Sequence, residues 1–179
     1  MSDGKILERQ QIYRGKVVDL SVEKVELPNG SVTELEVIRH PGASAMVPLT
    51  SENQVLLVRQ YRHATRGWLL EVPAGKLDLG EAPEVCAARE LEEEVGYGPG
   101  ELTSLGWIWT TPGFTDEKIW LYLARDLVMG HQALEGDEVL SVESVPFEEA
   151  IAKVHTGEIC DGKSVCALLR AAAYLEAEK

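Results

Sequence analysis

The sequence predicts a mixed helix and sheet protein, α/β or α+β in class. Three observations point to it: short Val-rich runs of strand length, one sharply bounded amphipathic helix in mid-chain, and an Ala/Leu-rich helix near the end. With 179 residues the chain can bury one substantial core and is short for two. One domain with an N-terminal extension is expected, residues 1–42 forming the extension and 43–179 the main domain. Hydrophobic residues at 45% and charged residues at 26% lie in the ordinary globular range.

The elements follow in order. From Gly15 to Arg39 the chain alternates and is rich in Val, with Pro28-Asn29-Gly30 between two such runs, which reads as a β-hairpin in an accessory sheet. Apolar runs at Ala45–Leu49 and Val55–Val58 flank the turn signal Ser51-Glu52-Asn53 and predict a second hairpin. A strand at Trp68–Val72 leads into Pro73-Ala74-Gly75 and a loop. The best-marked helix follows, from Pro83, which suits a first turn, to Val95, with Gly96 as its stop. Leu105–Thr110 and Lys118–Ala124 read as strands, and Pro112-Gly113 makes the segment between them a loop. Trp107, Trp109 and Trp120 alternate in these strands and read as core. One more strand at Val139–Val145 precedes helices at Phe147–His155 and Lys163–Ala177.

Composition excludes several roles. A formal net charge of −13 repels a phosphate backbone or an anionic membrane, so neither nucleic acid nor membrane is an expected partner. No run approaches the roughly 20 apolar residues of a membrane span. The start, Met1-Ser2-Asp3-Gly4-Lys5, leads into polar sequence rather than a signal core, and a cytoplasmic location is expected. Cys86, Cys160 and Cys166 lack metal-site or disulfide spacing and read as buried reduced thiols. His63, His131 and His155 have no obvious partner for acid–base work.

On a helical wheel of about 100° per residue, Val85, Ala88, Leu91 and Val95 share one side and Glu90, Glu93 and Glu94 the other. Carboxylates at i, i+3 and i+4 crowd one small volume, and their repulsion is relieved by a cation. Oxygen-only ligands favour a hard ion, Mg²⁺ first, with Mn²⁺ or Ca²⁺ as a substitute in vitro. The alternative is a solvated acidic face. Gly75, Glu81, Arg89, Glu90, Glu93, Glu94 and Gly96 stand at the spacing G-x5-E-x7-R-E-U-x-E-E-x-G-U, with Leu91 at the first apolar position. In this the chain resembles the Nudix hydrolase family. Tyr97, where the family usually has an aliphatic residue, is the one departure, and its ring can pack at a core edge.

The resemblance implies an α/β/α sandwich with a mixed sheet, plus the N-terminal antiparallel sheet. It implies metal binding by Glu90, Glu93 and Glu94 with the backbone carbonyl of Ala74. Arg89 is expected to orient a carboxylate. The catalytic residues implied are Glu93, Glu94, Arg89 and a base in the acidic loop Glu135-Gly136-Asp137-Glu138, for which Glu138 is chosen and Glu135 and Asp137 stay open. The reaction implied is metal-assisted hydrolysis of a diphosphate.

Substrate choice must lie outside this box. Pro112 stands sixteen residues beyond Gly96 within Thr111-Pro112-Gly113-Phe114-Thr115-Asp116-Glu117, which resembles the ADP-ribose pyrophosphatase branch of the family. Arg14–Leu20, Val25–Gly30, Arg39–Gly42 and Val72–Leu77 extend the resemblance. It implies a homodimer that exchanges its N-terminal sheets and a nucleoside diphosphate substrate. The substrate-binding residues expected are Tyr13 against adenine, Arg39, Arg59 and Arg62 on phosphate or base, Glu71 on a ribose hydroxyl, and Pro112 with Gly113. The box alone leaves open GDP-mannose, NADH or another dinucleotide, an oxidised nucleoside triphosphate, or a sensor that binds ADP-ribose without turnover.

Overall fold

The computed structural model describes residues 3–134, 136 and 138–179. The chain forms two compact units: residues up to Gly42 together with Trp109–Lys118, and Ala43–Ile108 together with Ile119–Lys179.

In the first unit β1 (Lys5–Arg14), β2 (Asp19–Glu26) and β3 (Val32–Arg39) form an antiparallel sheet in that order. The predicted hairpin is β2–β3. Gly30 turns it at φ 83°, a left-handed backbone that suits glycine. The sequence reading missed β1. All ten of its residues are exposed, so burial imposes no alternation on them, and two register shifts break the period further. The Pro112 string belongs to this unit: the Ile38 amide donates to the Phe114 carbonyl at 2.8 Å, and Asp116 N donates to Ile38 O at 3.2 Å.

The second unit is the sandwich. Its strands are β4 (Ala43–Pro48), β5 (Gln54–Arg62), β6 (Gly67–Glu71), β7 (Ala74–Lys76), β8 (Tyr97–Gly98), β9 (Glu101–Trp109), β10 (Lys118–Arg125), β11 (Val128–Met129) and β12 (Leu140–Pro146). Helices α1 (Pro83–Val95), α2 (Phe147–Thr156) and α3 (Gly162–Ala177) complete it. One sheet has the order β7-β4-β10-β9 and is mixed, with β4 parallel to β10 and antiparallel to β7. A second, antiparallel sheet has the order β12-β5-β6.

Alternation along the strands divides the core. Ala45 and Val47 of β4, Val55 and Leu57 of β5, and Leu121 and Leu123 of β10 pack with Ala150 of α2 and Ala167, Leu168 and Ala171 of α3. Met46, Leu56, Val58, Tyr122 and Ala124 point the other way, onto Ala87, Leu91 and Val95 of α1. Helices therefore cover both faces, and every residue of β4 is buried.

That double burial corrects the second expected hairpin. β4 and β5 lie in different sheets and share only the isolated bridge Leu49–Val55, because β4 is held between β7 and β10 instead. The tryptophans are corrected too: Trp107 and Trp109 are 44% and 46% exposed, while Trp120 is half-buried against the α1 side of the core. Tyr97 does pack at the edge of that core. Of the thiols Cys86 is buried, Cys166 is half-buried and Cys160 is exposed. Among the described residues no helix is long and apolar enough to cross a membrane.

Candidate active site

The site is built on α1. Pro83 starts the helix at a position where a missing N–H costs nothing, and Gly96 ends it at φ 79°, donating its amide to Glu92 O at 2.9 Å. The buried face differs from the wheel reading. It comprises Cys86, Ala87, Leu91 and Val95 together with Glu90 and Glu94, while Val85 is 56% exposed. Helical period fixes which residues share a face, but only the neighbouring elements decide which face is covered.

Two acidic side chains are thus buried. Glu94, at 1% exposure, accepts the Ala74 amide at 2.9 Å. Glu90 lies directly on Gly75: a Cβ at that glycine would stand 1.8 Å from the Glu90 carboxyl carbon. The Cys86 thiol donates to the Gly75 carbonyl at 3.5 Å. Only glycine leaves room for the carboxylate.

Arg89 organises the cluster. Its Nη1 donates to Glu90 Oε1 at 2.7 Å and to Glu93 Oε2 at 2.8 Å, while Nε and Nη2 hold the two Glu81 oxygens at 2.9 and 3.0 Å. That two-pronged bond, with the Asp78 amide, pulls the Glu81 carboxyl down to about 2. The same partners raise Arg89, Glu81 first.

The buried pair behaves oppositely. Burial pushes Glu90 up to about 7, outweighing the help from Arg89, and the charges of Glu93 and Glu138 add smaller repulsion. Burial pushes Glu94 up to about 8, and the charges of Glu138 and Glu90 raise it further. Glu138 therefore stands within electrostatic reach of both. Among the described residues no three acidic, His or Cys side chains stand grouped to hold a metal ion, and Arg89 bridges Glu90 and Glu93. The donor chemistry nevertheless suits a hard divalent cation: three carboxylates and the Ala74 backbone, no soft ligand, and buried negative charge that the protein's own cations do not fully offset.

A second network adjoins, and sequence reasoning had only part of it. Arg62 grips Glu71 with two bonds at 3.0 and 2.8 Å, and Lys163 donates to the same Glu71 carboxylate. Burial alone would raise Glu71, but Arg62 and Lys163 outweigh it and hold the carboxyl below its ordinary value. Lys163 also donates to Asp161 at 2.8 Å. Asp161 caps α3 by accepting the Ser164 amide and hydroxyl, and the buried Ser164 oxygen accepts the Val72 amide at 2.9 Å. The chain just before Ala74 is thereby tied to the start of α3. Neither Asp161 nor Ser164 was named from the sequence, and the partnership of Lys163 with Glu71, ninety-two residues apart, carries no local signal.

Among the other expected substrate residues, Arg39 and Arg59 are each paired with carboxylates of their own unit. Arg59 pairs with Glu143 across the β5–β12 ladder. Tyr13, Arg39, Pro112 and Gly113 belong to the first unit. There Arg39 binds Glu23 at 2.8 Å and Asp116 at 3.0 Å, and Tyr13 is exposed with its ring over Gly15. Gly113 lines a cavity of about 460 Å³ with Val22, Glu34, Leu35, Glu36 and Phe114. Its two carboxylates make a poor phosphate cradle by themselves. Glu135 and Asp137 lie outside the described residues.

The description NUDIX domain matches residues 39–168, most of the chain. The chain belongs to the Nudix family. An ADP-ribose pyrophosphatase of Bacillus subtilis (strain 168) is 41% identical over 179 residues, covering 98% of this chain and 97% of that one. A methanol dehydrogenase activator of Bacillus methanolicus is 42% identical over 166 residues, covering 92% of this chain and 90% of that one. A crystal structure of an ADP compounds hydrolase shares the fold at a TM-score of 0.86 and 23% identity, covering 99% of this chain and 97% of that chain.

Two outcomes follow for this Nudix chain. Gly75→Ala should leave thermal stability almost unchanged, because a flexible carboxylate can swing aside, yet lower turnover by about tenfold or more as Glu90 is displaced; equal loss of stability and activity would refute the close-approach account. For Glu90 and Glu94 the folded values lie above the reference of 4.5, so their stabilisation is complete below that pH and is lost as pH rises through about 7 and 8. Melting temperature in chelator should therefore fall between about pH 4.5 and 8, and a millimolar divalent cation should flatten the fall.

Proposed function

We propose that the protein hydrolyses the diphosphate bond of ADP-ribose to AMP and ribose 5-phosphate, with Mg²⁺ as its metal and Mn²⁺ as a substitute. The observation that carries the reaction is the set of buried carboxylates on α1, Glu90 and Glu94 beside Glu93, held by Arg89 and facing Ala74. The substrate is supported by the likeness to the Bacillus subtilis ADP-ribose pyrophosphatase along nearly the whole chain and by the Pro112 string.

Glu90, Glu93, Glu94 and the Ala74 carbonyl would hold the metal. Bound there, a divalent cation offsets diphosphate charge and makes phosphorus more electrophilic. Arg89 keeps Glu90 and Glu93 aimed at a common point, and Glu81 keeps Arg89 in place. Glu138 is the base that takes a proton from the attacking water as one P–O bond forms and the bridging P–O bond breaks. Arg62 is the residue of the second unit we assign to a substrate phosphate, exchanging part of its bond to Glu71 for it. Arg39, Arg59, Tyr13, Pro112 and Gly113 remain assigned to substrate by the family resemblance.

We also propose a cytoplasmic homodimer joined through the N-terminal sheet. Ile6, Ile12 and Tyr13 of β1 and Val17 in the connection after it are each half exposed or more, apolar surface of the kind a second copy covers. The three cysteines are all free thiols, which suits a reducing compartment.

Chromatography of products should show AMP and ribose 5-phosphate formed fastest from ADP-ribose and only with metal, ahead of GDP-mannose and NADH. A different preferred substrate would overturn the specificity, and binding without cleavage would point to a sensor. Glu93→Gln and Glu94→Gln should each lower kcat by about a hundredfold in a folded protein. Light scattering should give the mass of two chains, and a monomer at micromolar concentration would remove the dimer.

A further inference from the structure

A carboxylate buried as deeply as Glu71 needs a cation beside it at every stage of a reaction, because a charge left alone in the interior is strongly unfavourable. Glu71 has two cations, and they differ in freedom. Its own side chain is 1% exposed, the Lys163 side chain on it 11% and the Arg62 side chain 39%.

Lys163 is held in place. Besides its bond to Glu71 it donates to Asp161 at 2.8 Å, and Asp161 also accepts the Ser164 hydroxyl at 2.6 Å and the Ser164 amide at 3.1 Å. The Ser164 oxygen in turn accepts the amide of Val72, the residue after Glu71. The ammonium and the backbone that carries the carboxylate are therefore fixed to one point, the start of α3.

Arg62 is the freer partner. It is the last residue of β5, and Glu71 stands in register with Val58, four residues back along that strand, so the guanidinium reaches the carboxylate only by lying along the sheet. It binds through Nε and Nη2, which leaves Nη1 outside both bonds. A phosphate offers a guanidinium the same two-point acceptor as a carboxylate, so Arg62 can exchange one for the other. The exchange strands Glu71 if Arg62 is its only cation and leaves it paired if a second one stays.

We propose that Lys163 is a positioning residue for substrate binding: by remaining on Glu71 it releases Arg62 to take a phosphate of the nucleoside diphosphate. The inference rests on the assignment of Arg62 to that phosphate. It gives Lys163 no contact with substrate and no part in the chemical step.

The test is steady-state hydrolysis of ADP-ribose by the full chain bearing Lys163→Met or Lys163→Gln, each checked for native circular dichroism. With the ammonium gone Arg62 is held on Glu71, so KM should rise about fivefold or more while kcat and the Mg²⁺ half-saturation stay within about twofold, the split expected when ground-state and transition-state binding are lost together. Neutralising the carboxylate removes the reason for holding Arg62. In a Glu71→Gln background Lys163→Met should therefore change KM by less than about twofold, and the same shrinkage is expected in an Arg62→Ala background. The comparison within Glu71→Gln carries the test even if the single Lys163 variants do not fold, since no buried charge is then left alone. A wild-type KM in folded Lys163→Met overturns the inference, as does an undiminished KM rise in the Glu71→Gln background, which would put Lys163 on the substrate itself. If Arg62→Ala leaves KM unchanged, the phosphate assignment falls and this inference falls with it; a raised KM in Arg62→Ala beside an unchanged one in Lys163→Met removes this inference alone.

Discussion

Glu90 and Glu94 bury two carboxylates one helical turn apart, and the concentration of negative charge they create is the constraint to which the surrounding structure answers. An uncompensated buried charge is costly enough that a protein ordinarily neutralises it by pairing or protonation. Here compensation is partial. Arg89 reaches Glu90 and Glu93 but also serves Glu81, and Glu94 has from its near neighbours an amide bond rather than an ion pair. The raised pKa values of Glu90 and Glu94 express that shortfall, and a divalent cation is the species that removes it.

Backbone geometry makes the concentration possible. Gly75 lets a carboxylate lie against the chain, and Gly96 lets the helix stop where the following segment can dock on its carbonyls. The Val72 amide on Ser164 and the Ala74 amide on Glu94 hold the intervening loop from both sides. Such support matters because electrostatic catalysis depends on groups that need not move during the reaction.

The arginines illustrate the cost of an acidic chain. With 17 basic against 30 acidic side chains, Arg39, Arg59 and Arg62 are each paired with a carboxylate. A phosphate brought to any of them would compete with that carboxylate. Glu71 is the informative case: at 1% exposure it keeps Lys163 as a second cation, so partial release of Arg62 does not strand a buried charge.

Much of this was legible in the residues alone. The bounds of α1, the carboxylate spacing, the partnership of Arg89 with its neighbours and the β2–β3 hairpin follow from local rules, since helix stops, i to i+4 proximity and turn chemistry act within a few residues. The all-exposed β1, the separation of β4 from β5, the outward tryptophans and the burial of Glu90 and Glu94 did not. Each depends on which element lies against which, and a sequence period gives the angle of a face without its neighbour. The same holds for Lys163 on Glu71. The sequence by itself determined that acidic groups cluster on one helix and what chemistry they suit; only the tertiary structure decided that they are buried, and which distant residues hold them there, because long-range contacts form only when the chain packs.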